Sequence, residues 1–500
     1  MARLLRIFDS AWFFYVSLGL FTLGCIWIAT ASLYPMAFDE EFHYGLIQIY
    51  TSSWLPYGIE HTRDMAQYGA ATGDPSYLFH YLMSFPYRLL SLFGTSEWVT
   101  IALLRIINVG FVVAALVVFR KVLIEAQLSL RTSNLSLVLF MTVPVLSMLA
   151  AQINYDTLLL LVVAFSSLMI VRVTNGMLHS KRIPAIPLWS LVILLLIGMS
   201  IKYAFLPIAA ALGLWLVGLA VYVWKKHRHT PLQLAASLFN DSRRIGHWRT
   251  TILVMLGSLS IFFAAHYVTN IVQYGHPIPD CAVVFDEQAC TAYGPWNRNR
   301  NYVNGLPDSF QPLTFPAYMA AEWVPGMTER LTFSLAGKTN DFETKQPLPL
   351  VLIPFVLFAS IGAACLAARI FFARKTISPF IVFSLFVTGI YVAVLSFQLY
   401  SEYARTGQPV AINGRYLLLL LPLFAACLID SVAWATRRLD RRIVAATIIV
   451  SLLVLAFGGA GVVTYIIQSE PHWFWPGWGQ HSHAVLSDIF TTITIRWQLF

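Results

Sequence analysis

The sequence predicts an all-helical, polytopic integral membrane protein with about eleven transmembrane helices. Three observations predict it. Of 500 residues 58% are hydrophobic and only 11% charged; mean hydropathy is +0.68; and the charges fall between apolar runs of roughly 17 to 25 residues, each long enough to cross about 30 Å of hydrocarbon. A soluble surface needs about a quarter of its residues charged, so soluble, fibrous and disordered classes are excluded. The net charge of +9 is spread over many short segments and not gathered into one basic domain, which argues against a nucleic-acid partner.

The chain reads as a single transmembrane domain over 1–500. The first span, 11–33, contains Ala29-Thr30-Ala31, an imitation of a signal-peptidase site. Its apolar stretch exceeds the usual 7–15 residues or so of a signal core, so it is expected to remain as an anchored helix. Further spans are expected at 98–120, 134–151, 154–172, 186–203, 205–224, 250–272, 347–369, 377–399, 414–434 and 443–467. Between them lie a first exterior loop, 34–97, carrying interfacial helices, and a second large exterior loop, 273–346.

Orientation follows from the cations. With a cytoplasmic N-terminus, 21 of the 33 Lys and Arg fall in the shorter, inner loops, from Arg3 and Arg6 through Arg120, Lys121, Arg131 and Arg172 to Arg437, Arg438, Arg441 and Arg442. Asp and Glu show the opposite bias. The positive-inside rule then predicts a plasma (inner) membrane protein whose C-terminus is exterior. Segment 225–249, with Lys225-Lys226-His227-Arg228-His229 and Arg243-Arg244, reads as a surface piece lying on anionic lipid. Cys25, Cys365 and Cys427 fall inside spans and read as packing residues. Cys281 and Cys290 share the second exterior loop, and a disulfide, two free thiols or a metal site with nearby acids are the readings open there.

The chemistry is expected on the exterior side. Asp39-Glu40-Glu41-Phe42-His43 follows the first span and continues as an amphipathic pattern, so Asp39, Glu40 and His43 are expected on one face of a helix start, where acids suit the helix dipole. A carboxylate partly desolvated at a cavity mouth serves as a general base or as a metal ligand. A divalent metal at Asp39 and Glu40 is one option, and the residues leave the cofactor undetermined. In the same loop, His80 and Tyr81 open an aromatic interfacial helix and are expected to line a groove for a lipid-linked substrate. Arg105, the bend Asn154-Tyr155-Asp156, Lys202-Tyr203 and Asn413-Gly414-Arg415-Tyr416 interrupt spans near their outer ends. Ionisable groups at that depth face a polar interior, so they imply an outward-facing cavity. Lys202 and Arg415 suit a phosphate, by point charge and by planar fork respectively. Lipid-headgroup snorkelling is the competing role for both.

Asp-Glu directly after the first span, a Pro-x-Tyr helix in that loop, Asn-Tyr-Asp at the third-to-fourth bend, Lys after the fifth span and Gly-Arg-Tyr opening a late span together resemble the GT-C glycosyltransferase clan over roughly residues 10–435. The resemblance implies a GT-C-like fold, a sugar donor on polyprenyl phosphate, and Asp39 at the position of the first-loop catalytic carboxylate, with Glu40 beside it. It also makes 273–346 the acceptor-side element. The expected function is inverting transfer of a sugar from a polyprenyl-phosphate donor to a glycan, lipid or protein acceptor on the outer face of the membrane. No glycine-rich nucleotide loop follows a strand, in keeping with a lipid-carried donor. A transporter or flippase for lipid-linked glycans and a non-catalytic envelope-assembly scaffold are the alternatives.

Overall fold

In a computed structural model, the protein is described over residues 6–498 except 38, 57–61, 71–73, 228–229, 245, 247 and 333–345. Arg3, Arg228, His229 and the 333–345 stretch of the segment expected as the second exterior loop thus lie outside the described residues. Among the described residues there is no strand, and a lone antiparallel bridge joins Ser32 to Phe474.

The helices that matter below are α1 (Ala11–Ala31), α2 (Glu40–Ile49), α3 (Leu78–Leu92), α4 (Glu97–Glu125), α5 (Leu130–Met141), α6 (Pro144–Ala150), α7 (Tyr155–Asn175), α8 (Ala185–Ile201), α9 (Leu206–His227), α10 (Pro231–Arg244), α11 (Trp248–Tyr274), α12 (Gly294–Asn304), α13 (Val324–Thr332), α14 (Pro349–Phe372), α15 (Pro379–Thr406), α16 (Leu421–Ala435) and α17 (Arg441–Phe457). Eight helical stretches among the described residues are long and apolar enough to cross a membrane, and a ninth is counted if α5 and α6, bent by 73° at their junction, form one crossing. Pro144 causes that bend. It has no N–H to give the preceding turn and keeps Val143 out of helical geometry. The segments expected at 186–203 and 414–434 fold as shorter helices, α8 with 17 residues and α16 with 15. A 3-10 turn over Gly414–Leu419 uses up the start of the latter.

Burial separates centre from periphery. The apolar window of Tyr155–Ser180 is 72% buried inside the protein, whereas that of Arg249–Tyr274 is 6% buried. A helix apolar all round and covered on one side only is built for hydrocarbon as its solvent. At the centre, α7 packs along α4 and α8, α1 lies on α4 and α5, and α16 fills between α5 and α14. Asn108 pins α4 to α7 by accepting from the Thr157 hydroxyl at 2.5 Å. At one end of the bundle three ion pairs join neighbours: Arg131 to Asp9, Arg172 to Glu125 and Arg369 to Asp430, each at 2.7 Å.

The other end is organised by one buried pair. Glu40 and Arg105 have side chains of zero exposure, 2.7 Å apart. Each Glu40 oxygen accepts two bonds: Oε1 from Arg105 Nε and the Ile153 amide, Oε2 from Arg105 Nη2 and the Met36 amide. Arg105 spends its remaining donors on the carbonyls of Ala29, Ser32 and Leu33, which the end of α1 leaves without helical partners. The pair therefore locks α1, α2, α4 and the α6–α7 junction together. Arg105→Met strands a buried carboxylate and is expected to cost roughly 3–5 kcal/mol, read as loss of monodisperse protein in detergent. Adding Glu40→Gln to Arg105→Met should recover much of that loss. Equal losses in single and double variants would assign the junction's stability to the carbonyl contacts of Arg105 instead.

Candidate functional site

Asp39 is the N-cap of α2 and adopts φ 67°, ψ 27°. Left-handed geometry is unfavourable for most side chains and tolerated best by Asn and Asp after Gly, so an acid here keeps a turn that other residues would strain. The turn separates neighbours that the sequence pattern places on one face. Glu40 points into the protein, whereas the Asp39 side chain is 57% exposed and makes no capping bond. With all four acceptor positions of Glu40 filled, a metal at Asp39 and Glu40 would have to break the Arg105 pair. Among the described residues no group of three or more His, Cys, Asp or Glu is placed to hold a metal ion.

Behind Asp39 lies a chain of alternating charges. Arg415 Nη2 donates to Asp39 Oδ2 at 3.0 Å, and Arg415 Nε lies 3.9 Å from Asp156 Oδ2. Lys202 Nζ donates to the other Asp156 oxygen at 2.7 Å. Asp156, Lys202 and Arg415 are buried. Lys202 is caged further by aromatic faces, 4.3 Å from the Tyr155 ring centre and 4.9 Å from that of Tyr416. Each member is delivered by a break in a helix. Asp156 opens α7 behind the Asn154 cap. Lys202 is the extended residue that ends α8, and the following Tyr203 amide donates to Ser76 Oγ in the segment between α1 and α4 at 3.0 Å. Arg415 sits in the 3-10 turn, its amide donating to the Asn413 side chain. Gly414 is required there because a Cβ would stand 2.5 Å from the backbone nitrogen of Leu331 on α13.

His43 and His80 join the same assembly. Their rings are hydrogen-bonded, Nδ1 to Nε2, at 2.9 Å, and the His43 ring centre is 4.4 Å from that of Tyr155. Of the expected site residues, Asp39, His43, His80, Asp156, Lys202, Arg415 and Tyr416 are thus brought together. Glu40 and Arg105 form the adjoining closed pair. Tyr81 points elsewhere, its hydroxyl donating to the Trp54 carbonyl at 2.7 Å, because successive helix residues differ by about 100° in direction. Arg88, the cation of that helix, is held by the Tyr50 and Ser53 carbonyls and lies over the Trp54 ring. Tyr155 was legible only as part of a bend. Its ring is the wall shared by Lys202 and His43, and its place beside Asp156 at a helix start was the available signal.

Burial pushes His80 down to about 3, and burial together with His80, Arg415 and Lys202 pushes His43 down as well, so both rings are neutral at pH 7. Between about pH 6.5 and 3 the unfolded chain binds protons that the folded chain refuses. The stability that the His80 ring contributes is therefore complete above pH 6.5 and is lost as pH falls through that window, by up to about 1.4 kcal/mol per pH unit, and the depressed His43 adds a loss of the same sign. Melting temperature measured against pH should show that slope, and His43→Gln with His80→Gln should flatten it. An unchanged slope in the double variant would place the acid sensitivity elsewhere.

Comparison of the chain with family models, with curated proteins and with solved structures finds no match.

Proposed function

We propose that this chain is a membrane glycosyltransferase of the GT-C kind, moving a sugar from a polyprenyl-phosphate donor to an acceptor hydroxyl on the outer face of the plasma membrane. The observation that carries the reading is the contrast within one cluster: the Asp39 carboxylate is exposed, and directly behind it stand two buried cations, Arg415 and Lys202. In this reading the eight long helices, the bent α5–α6 pair and the shorter α8 and α16 make eleven crossings. The basic loops face the cytoplasm.

The roles follow from exposure. Asp39 takes the proton of the acceptor hydroxyl. That oxygen forms its bond to the anomeric carbon from the face opposite the leaving group, the carbon–oxygen bond to phosphate breaks, and its electron pair leaves on the polyprenyl phosphate. Negative charge grows on the leaving oxygen, and Arg415 and Lys202 supply the fixed positive charge that favours it. Asp156 holds the two cations at their spacing. His43 and His80, neutral and hydrogen-bonded to each other, support the Tyr155 wall without adding charge. Glu40 is a positioning residue, its carboxylate fully occupied in holding α2 against α4.

Asp39→Asn should abolish transfer in purified protein with little loss of folded protein, while Glu41→Gln stays active. Near-normal turnover in Asp39→Asn would remove it as the base. Arg415→Lys should already lower the transfer rate, since a point charge cannot span Asp39 and Asp156 as the planar fork does. A cation that only meets lipid headgroups would accept that change silently. The orientation has its own check. Cysteines placed singly at Ser52 and Asn240 should react with a membrane-impermeant maleimide from opposite faces, and labelling of both from one face would overturn it.

A further inference from the structure

The second exterior segment holds a feature that the reaction above does not use. Helix α12 has the sequence Gly-Pro-Trp-Asn-Arg-Asn-Arg-Asn-Tyr-Val-Asn and no buried residue. Four asparagines in eleven positions are poor helix formers, and an apolar stripe to dock the helix on a core is missing. Yet one face is ordered by function-bearing types. Trp296, Asn299, Arg300, Val303 and Asn304, at the i, i+3, i+4, i+7, i+8 spacing of a single helix face, line an open cavity of about 390 Å³. That volume lies in the range of small-molecule sites.

The opposite wall is fixed. Asp280 and Glu287 belong to a segment closed by the Cys281–Cys290 disulfide, and Arg405 reaches in from the end of α15. The lining charges balance, two carboxylates against two guanidiniums. Both guanidiniums are already paired, Arg300 with Glu287 at 2.8 Å and Arg405 with Glu402 at 2.7 Å. An anionic ligand would find no unspent positive charge. A polyhydroxylated neutral one finds planar amides and paired ionic groups for its hydroxyls, with an indole ring, carrying Arg300 5.0 Å from its centre, for its C–H faces.

The cavity shares a wall with the charged site. Tyr293 lines it and is also stacked on Phe42 of α2, with ring centres 6.2 Å apart. Phe42 in turn meets His43 edge-on at 5.5 Å. Gly69 makes room for this bridge, since a Cβ there would lie 2.7 Å from the Tyr293 ring.

We propose that this cavity binds a neutral oligosaccharide, the acceptor whose hydroxyl is offered to Asp39. The proposal rests on the glycosyltransferase reading for the acceptor's role, and the binding site itself is tested apart from it. Purified protein in lipid nanodiscs is titrated with cellotetraose, chitotetraose and mannotetraose, with tetragalacturonate as the anionic counterpart, and binding is read by saturation-transfer NMR and calorimetry. At least one neutral tetrasaccharide should bind. Trp296→Ala and Asn299→Ala should each weaken it tenfold or more, with the disulfide retained by intact mass as the check on folding. No binding by any neutral tetrasaccharide, tighter binding of tetragalacturonate, or binding untouched by both cavity variants would each overturn the assignment. The two readings fail differently: full transfer by Asp39→Asn removes the transferase mechanism while cavity binding stands, and full transfer with unaltered acceptor dependence in Trp296→Ala removes the cavity alone.

Discussion

A carboxylate of zero exposure among apolar helices must be matched in charge and in hydrogen bonds, or the chain will not fold around it. Glu40 meets that requirement through Arg105, and the rest of this end of the molecule depends on the match. Two helices, α2 and α4, supply the charges. The carbonyls at the end of α1 and the amides of Met36 and Ile153 supply the remaining partners. Every donor of the guanidinium and every acceptor position of the carboxylate is thereby used. Such a pair contributes little net stability compared with apolar packing of the same volume, but it tolerates only one arrangement of its neighbours. Its consequence is positional: the residue immediately before Glu40 is held beside the pair, with its own side chain left exposed.

That placement makes the second cluster intelligible. Lys202, Asp156, Arg415 and Asp39 alternate in sign, and their separations of 2.7, 3.9 and 3.0 Å shorten toward the ends of the row. In a medium poorer in water than bulk, attraction at these distances is strong and desolvation is costly, so alternation keeps the row near neutrality. The middle contact, between α7 and the 3-10 turn before α16, exceeds hydrogen-bond distance. Three helix breaks converge to build the row. A continuous helix would have satisfied its own backbone and carried these side chains along the bundle instead of across it.

Much of the architecture was legible because hydrocarbon imposes a length on apolar runs that no other solvent imposes. The bend at Pro144 was visible as a residue, although an unbroken reading of 134–151 passed over its geometric effect. The shortness of α8 and α16 was not legible, because the apolar run continues where the backbone has already left the helix to deliver Lys202 or Arg415. For the site, the sequence marks which polar residues are too costly to be idle, namely Asp156, Lys202 and Arg415. It does not mark which of Asp39 and Glu40 turns inward. That choice is made by a single left-handed residue and by Arg105, 65 positions away in the chain. His80 and Tyr81 part company for the same local reason, being neighbours on a helix whose faces look at different surroundings.

Segments 34–97 and 273–346 meet mainly through aromatic packing, with an exposed ion pair, Arg63 to Asp286 at 3.8 Å, between them. Cys281 approaches the Ala66 carbonyl, Tyr293 fills the space over Gly69, and Phe42 lies between Tyr293 and the histidine pair. A contact of this kind transmits position but not charge, so a group bound against Tyr293 shifts α2 only by packing. Glu40, the first residue of α2, is held on both oxygens, so Asp39 emerges beside the most heavily bonded point of that helix.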